Sequence, residues 1–205
     1  MKKPGCRHQS RFVLSATDLA LLIVMAALIT AHLKAALAGS LVSLLFIAQH
    51  LAILVLTLLH RPAGVACRSY GAILLAWAGT LLPLAMRPTA EPATRAGLIL
   101  LIPGNLLATA AILSLGRSFG MEPAHRGLRT RRLYRVVRHP IYAAYLLIIG
   151  GVLLSAWSWW NSVVAIIWLA VQVLRIIREE AVLAGDDAYR RYAQQVRWRL
   201  VPGLW

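Results

Sequence analysis

The chain has 205 residues, 60% of them hydrophobic, with a mean hydropathy of +0.68, which excludes an ordinary soluble domain and leaves a membrane protein. At roughly 20 apolar residues per crossing, this length suits one bundle of about six spans, with no separate soluble domain. The formal charge of +15 comes from 22 Lys and Arg against 7 Asp and Glu. The basic residues stand between apolar runs, so topology and anionic lipid headgroups account for them and nucleic acid does not. Cys6 and Cys67 lie far apart in sequence and show neither metal-ligand spacing nor a disulfide framework.

Residues 1–11 read as a basic segment at the membrane surface. Met1-Lys2-Lys3 ahead of an apolar run resembles a secretory leader, but the run is long and a second follows closely, so a retained anchor is expected. The first span is expected over residues 12–33, with Asp18 in its opening turns, where a carboxylate suits the positive end of a helix. After a turn at 34–40, the second span covers 41–59 and carries Gln49 and His50 near its middle. Polar groups at that depth face protein or a cavity. For His50 an interhelical hydrogen bond is the plainer role, with catalysis as the alternative. A His60-Arg61-Pro62 loop and Arg68 precede a third span over 71–86. The fourth, 96–115, is interrupted by Pro103-Gly104-Asn105, which predicts a kink, with Asn105 serving a freed backbone group.

Residues 116–138 form the longest polar loop, with Arg117, Arg126, Arg129, Arg131, Arg132, Arg135 and Arg138. Spans five and six, 140–157 and 161–178, read as a tight hairpin whose turn carries Trp157, Trp159 and Trp160 as interfacial anchors. The tail, 186–205, opens with an acidic pair and continues as a short helix with Tyr189 and Tyr192 on one face. With six spans, all the Lys and Arg except Lys34, Arg87 and Arg95 fall on the side of the N-terminus. This asymmetry predicts both termini in the cytoplasm, in an arrangement expected of a bacterial inner membrane. It also puts the segment around Arg138 and the segment around Glu180 on one side. The expected fold is all-α: a polytopic helical bundle with about four spans in 1–115, then a ligand-binding region, 116–205, of loop, helical hairpin and short cytoplasmic tail helix.

Chemistry gathers at those two segments. Pro140 suits the first position of a helix, where its missing N–H costs nothing, and His139 then falls at the N-cap. A helix N-terminus flanked by Arg135 and Arg138 suits a carboxylate. Tyr142 and Tyr145 share a face that can receive a purine ring or a cation. On the returning helix, Gln172, Arg175 and Glu179 share a face, while Glu180 is turned by about 100° from Glu179. One carboxylate can therefore meet an internal arginine and the other a ligand ammonium. A ligand with a carboxylate, an ammonium, an aromatic base and a sulfonium matches these groups, and S-adenosylmethionine has all four. Interfacial anchoring and an Arg175–Glu179 pair within the helix explain the same residue types without a ligand.

Several ordered motifs add to this: Leu115-Gly116-Arg117-Ser118-Phe119-Gly120, Leu128-Arg129-Thr130, Tyr134-Arg135-Val136-Val137-Arg138-His139-Pro140-Ile141-Tyr142, Glu179-Glu180-Ala181-Val182-Leu183, Tyr189-Arg190-Arg191-Tyr192 and Arg199-Leu200-Val201-Pro202-Gly203-Leu204-Trp205. Together they resemble the isoprenylcysteine carboxyl methyltransferase family and the related membrane phospholipid methyltransferases. The resemblance implies S-adenosylmethionine bound at the cytoplasmic side and a lipophilic or prenylated substrate entering from the bilayer. It puts Arg138, His139, Pro140, Tyr142 and Tyr145 on one wall of the cofactor pocket, Glu179 and Glu180 on the other, and Tyr189 and Tyr192 over it. The chain departs from the family at Arg132-Leu133, where relatives often have Gly-Pro, at Ala144, where they often have Gly, and at 184–188, which is shorter.

Arg175 and Arg138 are the expected groups to orient an anionic nucleophile such as a prenylcysteine carboxylate. For a phospholipid amine, Glu180 or His139 would take the proton. A nicotinamide-dependent membrane reductase and a non-enzymatic lipid-binding protein are the readings from other classes.

Overall fold

A computed structural model describes residues 14–61, 70–87, 93–120 and 128–205, together with the backbone of three short strands. Arg68, Arg126 and the basic segment 1–11, apart from the backbone of Cys6–Arg7, lie outside the described residues. The helices are α1 (Ala16–Leu37), α2 (Leu41–Leu59), α3 (Tyr70–Leu81), α4 (Arg95–Leu115), α5 (Pro140–Ser155), α6 (Trp159–Leu183) and α7 (Asp187–Gln195). Four of them, α1, α2, α4 and α6, are long and apolar enough to cross a membrane, while α5 and α3 with its 3-10 extension are shorter apolar helices. The all-α reading with about six spans therefore stands. To it the structure adds a small antiparallel patch of β1 (Cys6–Arg7), β2 (Val65–Cys67) and β3 (Ala124–His125), in which Cys6 stands opposite Cys67.

Local caps set the helix ends. Ser15 and Asp18 form a reciprocal capping box at the start of α1, so the helix begins after Ser15 and carries Lys34 in its last turn, where a cation suits the helix dipole. The first connection is accordingly shorter than residues 34–40, and Gly39 supplies its positive φ of 91°. Asp18 Oδ2 also lies 4.0 Å from His60 Nε2 and so links α1 to the end of α2. α3 changes to a 3-10 turn over Leu82–Ala85, which contains Pro83. A proline there removes a donor from the α-helical ladder.

α4 continues through Pro103 without a break in its helical assignment. Asn105 Nδ2 donates to Leu101 O at 2.9 Å, whereas a proline at 103 frees the carbonyl four residues earlier, at Ile99. Asn105 thus serves a different carbonyl from the one expected. The importance of this stretch lies in Gly104. A Cβ built there would stand 3.0–3.1 Å from Ile148 and Leu147 of α5. At the other end of the same seam, a Cβ on Gly97 or Gly151 would come within 2.8 Å of the other glycine's carbonyl oxygen. Small residues at such spacing let two helix backbones touch, and α5 packs along α4 through this seam.

The α5–α6 connection is short, with Ser158 capping α6 through Asn161 N. The two helices nevertheless do not pack tightly along their lengths. Their shared apolar cluster is built on Ile149, Ala165 and Trp168, with Leu146 and Leu153 against it. α6 turns instead to α3, where Trp168 Nε1 donates to Gly79 O at 3.0 Å. Drawn to different neighbours, α5 and α6 diverge, and a cavity lies between them. α6 also runs on to Leu183, so Glu179 and Glu180 sit inside its last turns and not at its end.

Candidate functional site

The C-terminal segment fixes the start of α5. Arg138 N donates to Trp198 O and His139 N to Arg199 O, both at 2.9 Å, while the N–H groups of Arg199 and Leu200 donate to Trp205 O. Gly203, at φ 86°, allows that closing turn. Pro140 then occupies the first helical position, fully buried behind this strap.

The two adjacent glutamates of α6 have different surroundings. Glu180 Oε1 is 3.1 Å from both Arg138 Nη1 and His139 Nε2, and Glu180 Oε2 accepts from Arg199 Nε at 2.8 Å. Three basic groups on two other segments surround one buried carboxylate, an arrangement that neutralises it and locks the tail to α5 and α6. Glu179 points the other way, into the cavity, where it accepts a hydrogen bond from the Tyr142 hydroxyl at 3.2 Å.

That cavity measures about 670 Å³. At its polar end it is lined by Arg138, His139, Tyr142, Arg175, Glu179 and Tyr189, and Tyr145 and Tyr192 also contribute. Arg175 Nη1 donates to Gln172 Oε1 at 3.1 Å, and its guanidinium lies 5.4 Å from the centre of the Tyr142 ring. Gly79 makes room for it, since a Cβ there would stand 2.6 Å from Arg175 Nη1. Among the described residues, the buried Arg138 Nε at this end has no hydrogen-bond partner. α7 covers the end, its tyrosine rings 5.9 Å apart and Tyr192 donating to Tyr134 O at 2.7 Å. Burial pushes the Tyr192 phenol up to about 12, with the Glu180 charge adding to the rise, and burial likewise raises Tyr134 and Tyr189.

Most of the residues singled out in the sequence therefore gather at one place, but not in equal roles. Arg138, His139, Tyr142, Tyr145, Arg175, Glu179, Tyr189 and Tyr192 line the cavity. Glu180 and Pro140 lie behind its wall. Arg135 is exposed and does not line it. The N–H groups of Arg138 and His139 are taken by the tail. Arg199, Gly79 and Arg129 received no role from the sequence, yet the first anchors Glu180, the second admits Arg175 and the third lines the cavity. Only the Arg-Leu-Val-Pro motif gave any sign of Arg199.

Residues 93–189 match the family model described as phospholipid methyltransferase. The match covers a little under half of the chain. Among curated proteins, the protein-S-isoprenylcysteine O-methyltransferase A of Arabidopsis thaliana is 41% identical over 56 residues, which is 25% of this chain and 28% of that relative. The chain thus spans little more than a quarter of the curated relative it matches. The segment similar to the family runs from just before α4 to Tyr189, so it contains the glycine seam, both glutamates and the first tyrosine of α7. It stops short of Arg199.

The same cavity extends beyond this region. Leu21, Met25 and His32 of α1 and Phe46, Gln49 and His50 of α2 continue its wall. Among the described residues His50 Nδ1 makes no interhelical hydrogen bond and is buried, and the ring stacks 5.9 Å from His32 and 6.0 Å from Phe46.

Proposed function

We propose that the chain is an integral membrane methyltransferase that takes its methyl group from S-adenosylmethionine and delivers it to a lipophilic acceptor, an isoprenylcysteine-like carboxylate or a small prenyl or lipid compound. The observation that carries this reading is the unequal use of the two glutamates. Glu180 is neutralised by Arg138, His139 and Arg199, while Glu179 faces the cavity and, among the described residues, is met by the Tyr142 hydroxyl. The free groups of the cavity fit the ligand. Glu179 would hold the ammonium, the spare Arg138 Nε would hold the carboxylate, and the Tyr142, Tyr145, Tyr189 and Tyr192 rings would receive the cationic and aromatic parts.

When bound, S-adenosylmethionine supplies an electrophilic methyl group whose transfer turns its sulfonium into a thioether. The protein's part is to position, dehydrate and orient. Arg175, steadied by Gln172 and stacked on Tyr142, is placed to hold an anionic acceptor oxygen against that methyl. The exposed leucine and isoleucine faces of the spans suit a lipid surround, and the basic asymmetry supports a cytoplasmic position for the polar end of the cavity. A phospholipid amine is the second reading, favoured by the family match. It must lose a proton, and of Glu180 and His139 the histidine, which lines the cavity, is the one placed to take it.

Thermal unfolding of the detergent-solubilised protein tests the cofactor. S-adenosylmethionine or its demethylated product should raise the midpoint and NADPH should not; the reverse pattern selects the reductase reading. Membranes incubated with methyl-labelled cofactor should then yield a labelled lipid. Arg175→Ala should abolish the labelling while the cofactor still binds, and unchanged turnover in that variant would remove Arg175 from its role.

A further inference from the structure

Gln49 is 4% exposed and His50 8%, and both line the cavity on α2. Among the described residues, Gln49 Oε1 and His50 Nδ1 are buried without a hydrogen-bond partner. The packing around them fixes their height. Ile53 packs in one apolar cluster with Ile112 of α4 and Ile141 of α5, and Phe46 packs with Tyr145 and Ile148 in the next. Gln49 and His50 lie between Phe46 and Ile53 on α2, hence level with the turn of α5 that carries Tyr142. The Arg175 guanidinium lies 5.4 Å from the centre of that tyrosine's ring. The unpartnered atoms therefore stand at the height of Arg175, on a wall that the segment similar to the family does not supply.

The groups assigned to S-adenosylmethionine all lie between Arg138 and Tyr192, which leaves α2 to the acceptor. Arg175 suits an anionic oxygen. Gln49 Oε1 accepts hydrogen bonds and gives none, so a bare carboxylate, which also only accepts, leaves it unmatched. A head group with an N–H or O–H beside its carboxylate both donates and accepts. It satisfies the Gln49 amide in either orientation and the His50 imidazole in either tautomer. We propose that Gln49 and His50 complete the acceptor site opposite Arg175 by binding a hydrogen-bond donor carried next to the acceptor's carboxylate. The site then selects such a substituted carboxylate over a plain prenyl or fatty acid. This rests on the methyltransferase reading and narrows its acceptor.

Three probes on one skeleton test it: S-farnesylmercaptopropionate, which has no donor, its hydroxy derivative at the carbon next to the carboxylate, and N-acetyl-S-farnesylcysteine, with an acetamido N–H at that carbon. Each is titrated into the detergent-solubilised protein saturated with demethylated cofactor. The wild type should bind at least one donor-bearing probe about tenfold or more tighter than the plain one, equal to about 1.4 kcal/mol. The tighter of the two tells whether the donor is N–H or O–H. Gln49→Met/His50→Phe should erase the preference. It removes unpartnered polar groups from a buried wall, so the unfolding midpoint without ligand should stay equal or rise. Equal binding of the three probes by the wild type, or a preference that survives in the variant, overturns the proposal. A preference lost together with a lowered midpoint marks a merely structural pair and overturns it as well. S-adenosylmethionine stabilisation is measured on the same wild-type samples. Its absence condemns the methyltransferase reading, whereas its presence with equal probe binding condemns only the role of Gln49 and His50.

Discussion

Arg199 Nε donates to Glu180 Oε2 at 2.8 Å, and the carbonyl of the same arginine accepts from His139 N at 2.9 Å. One residue of the tail therefore ties the end of α6 to the start of α5, and the two walls of the polar end are held at a fixed separation. The guanidinium also lies 5.1 Å from the Trp205 ring, so the closing turn of the tail steadies it.

The adjacent glutamates should respond oppositely to the same change. Glu180→Gln leaves Arg138 and Arg199 without their counter-charge and should cost about 3 kcal/mol of stability, read as a lower unfolding midpoint without ligand. Glu179→Gln should leave that midpoint nearly unchanged and weaken S-adenosylmethionine binding tenfold or more, as expected from losing a charged contact worth about 1.5–3 kcal/mol. Equal effects of the two variants on both readouts would contradict the division of roles.

Gly79→Ala should act on turnover more than on folding. The new methyl group meets the far end of the flexible Arg175 side chain, 2.6 Å from Nη1, so the guanidinium moves while the backbone stays. Misplacement by about 1 Å can cost on the order of a hundredfold in rate. The expected outcome is a lowered kcat with the cofactor Kd within about twofold, measured by labelled transfer and by titration.

Neighbouring glycines of α5 should differ sharply. At Gly151 an added Cβ meets backbone, Gly97 O at 2.8 Å and Leu101 N at 2.9 Å, and neither can yield without parting α4 from α5. Gly151→Ala should cost about 1–3 kcal/mol. Gly150 faces only Leu100 Cδ1 at 3.3 Å, and Gly150→Ala should stay within about 0.5 kcal/mol of the parent. Denaturation of both variants side by side is the check.

Tyr192 supplies a pH dependence of known sign. Its folded pKa of about 12 lies above the ordinary phenol value of 10.0, so the protonated form is favoured by folding. The stabilisation is complete below about pH 10 and is lost as the pH rises through about 12. Tyr192→Phe, which removes the bond to Tyr134 O, should lower stability by about 1 kcal/mol at neutral pH. The gap between parent and variant should close in alkaline solution.

Arg132 adopts φ 59°, a left-handed conformation that costs a residue with a Cβ about 1–2 kcal/mol. This is the position where the family resemblance leads one to expect glycine. Arg132→Gly should therefore raise the unfolding midpoint, and a lower midpoint would show that the arginine side chain makes up for the strain.

Much of this protein was legible in its sequence because the signals are local. Apolar runs long enough for a bilayer marked the spans, and the second, expected over 41–59, coincides with α2 at Leu41–Leu59. Pro140 after His139 located the start of α5, and the order of the motifs pointed to the family. The adjacency of Glu179 and Glu180 showed that they must face different ways, since consecutive helical residues diverge by about 100°. It could not show which would face inward. That depended on where Arg199 arrives after the tail has folded back, a contact nineteen residues away that no periodicity records. In the same way Gly97, Gly104 and Gly151 look like ordinary small residues until two helices meet, and His50 and Gln49 look like partners for a neighbouring helix until the packing leaves them facing a cavity. Composition and helical period act along the chain, whereas charge pairing, close approach and the shape of empty space arise between distant segments, so only the tertiary structure decided them.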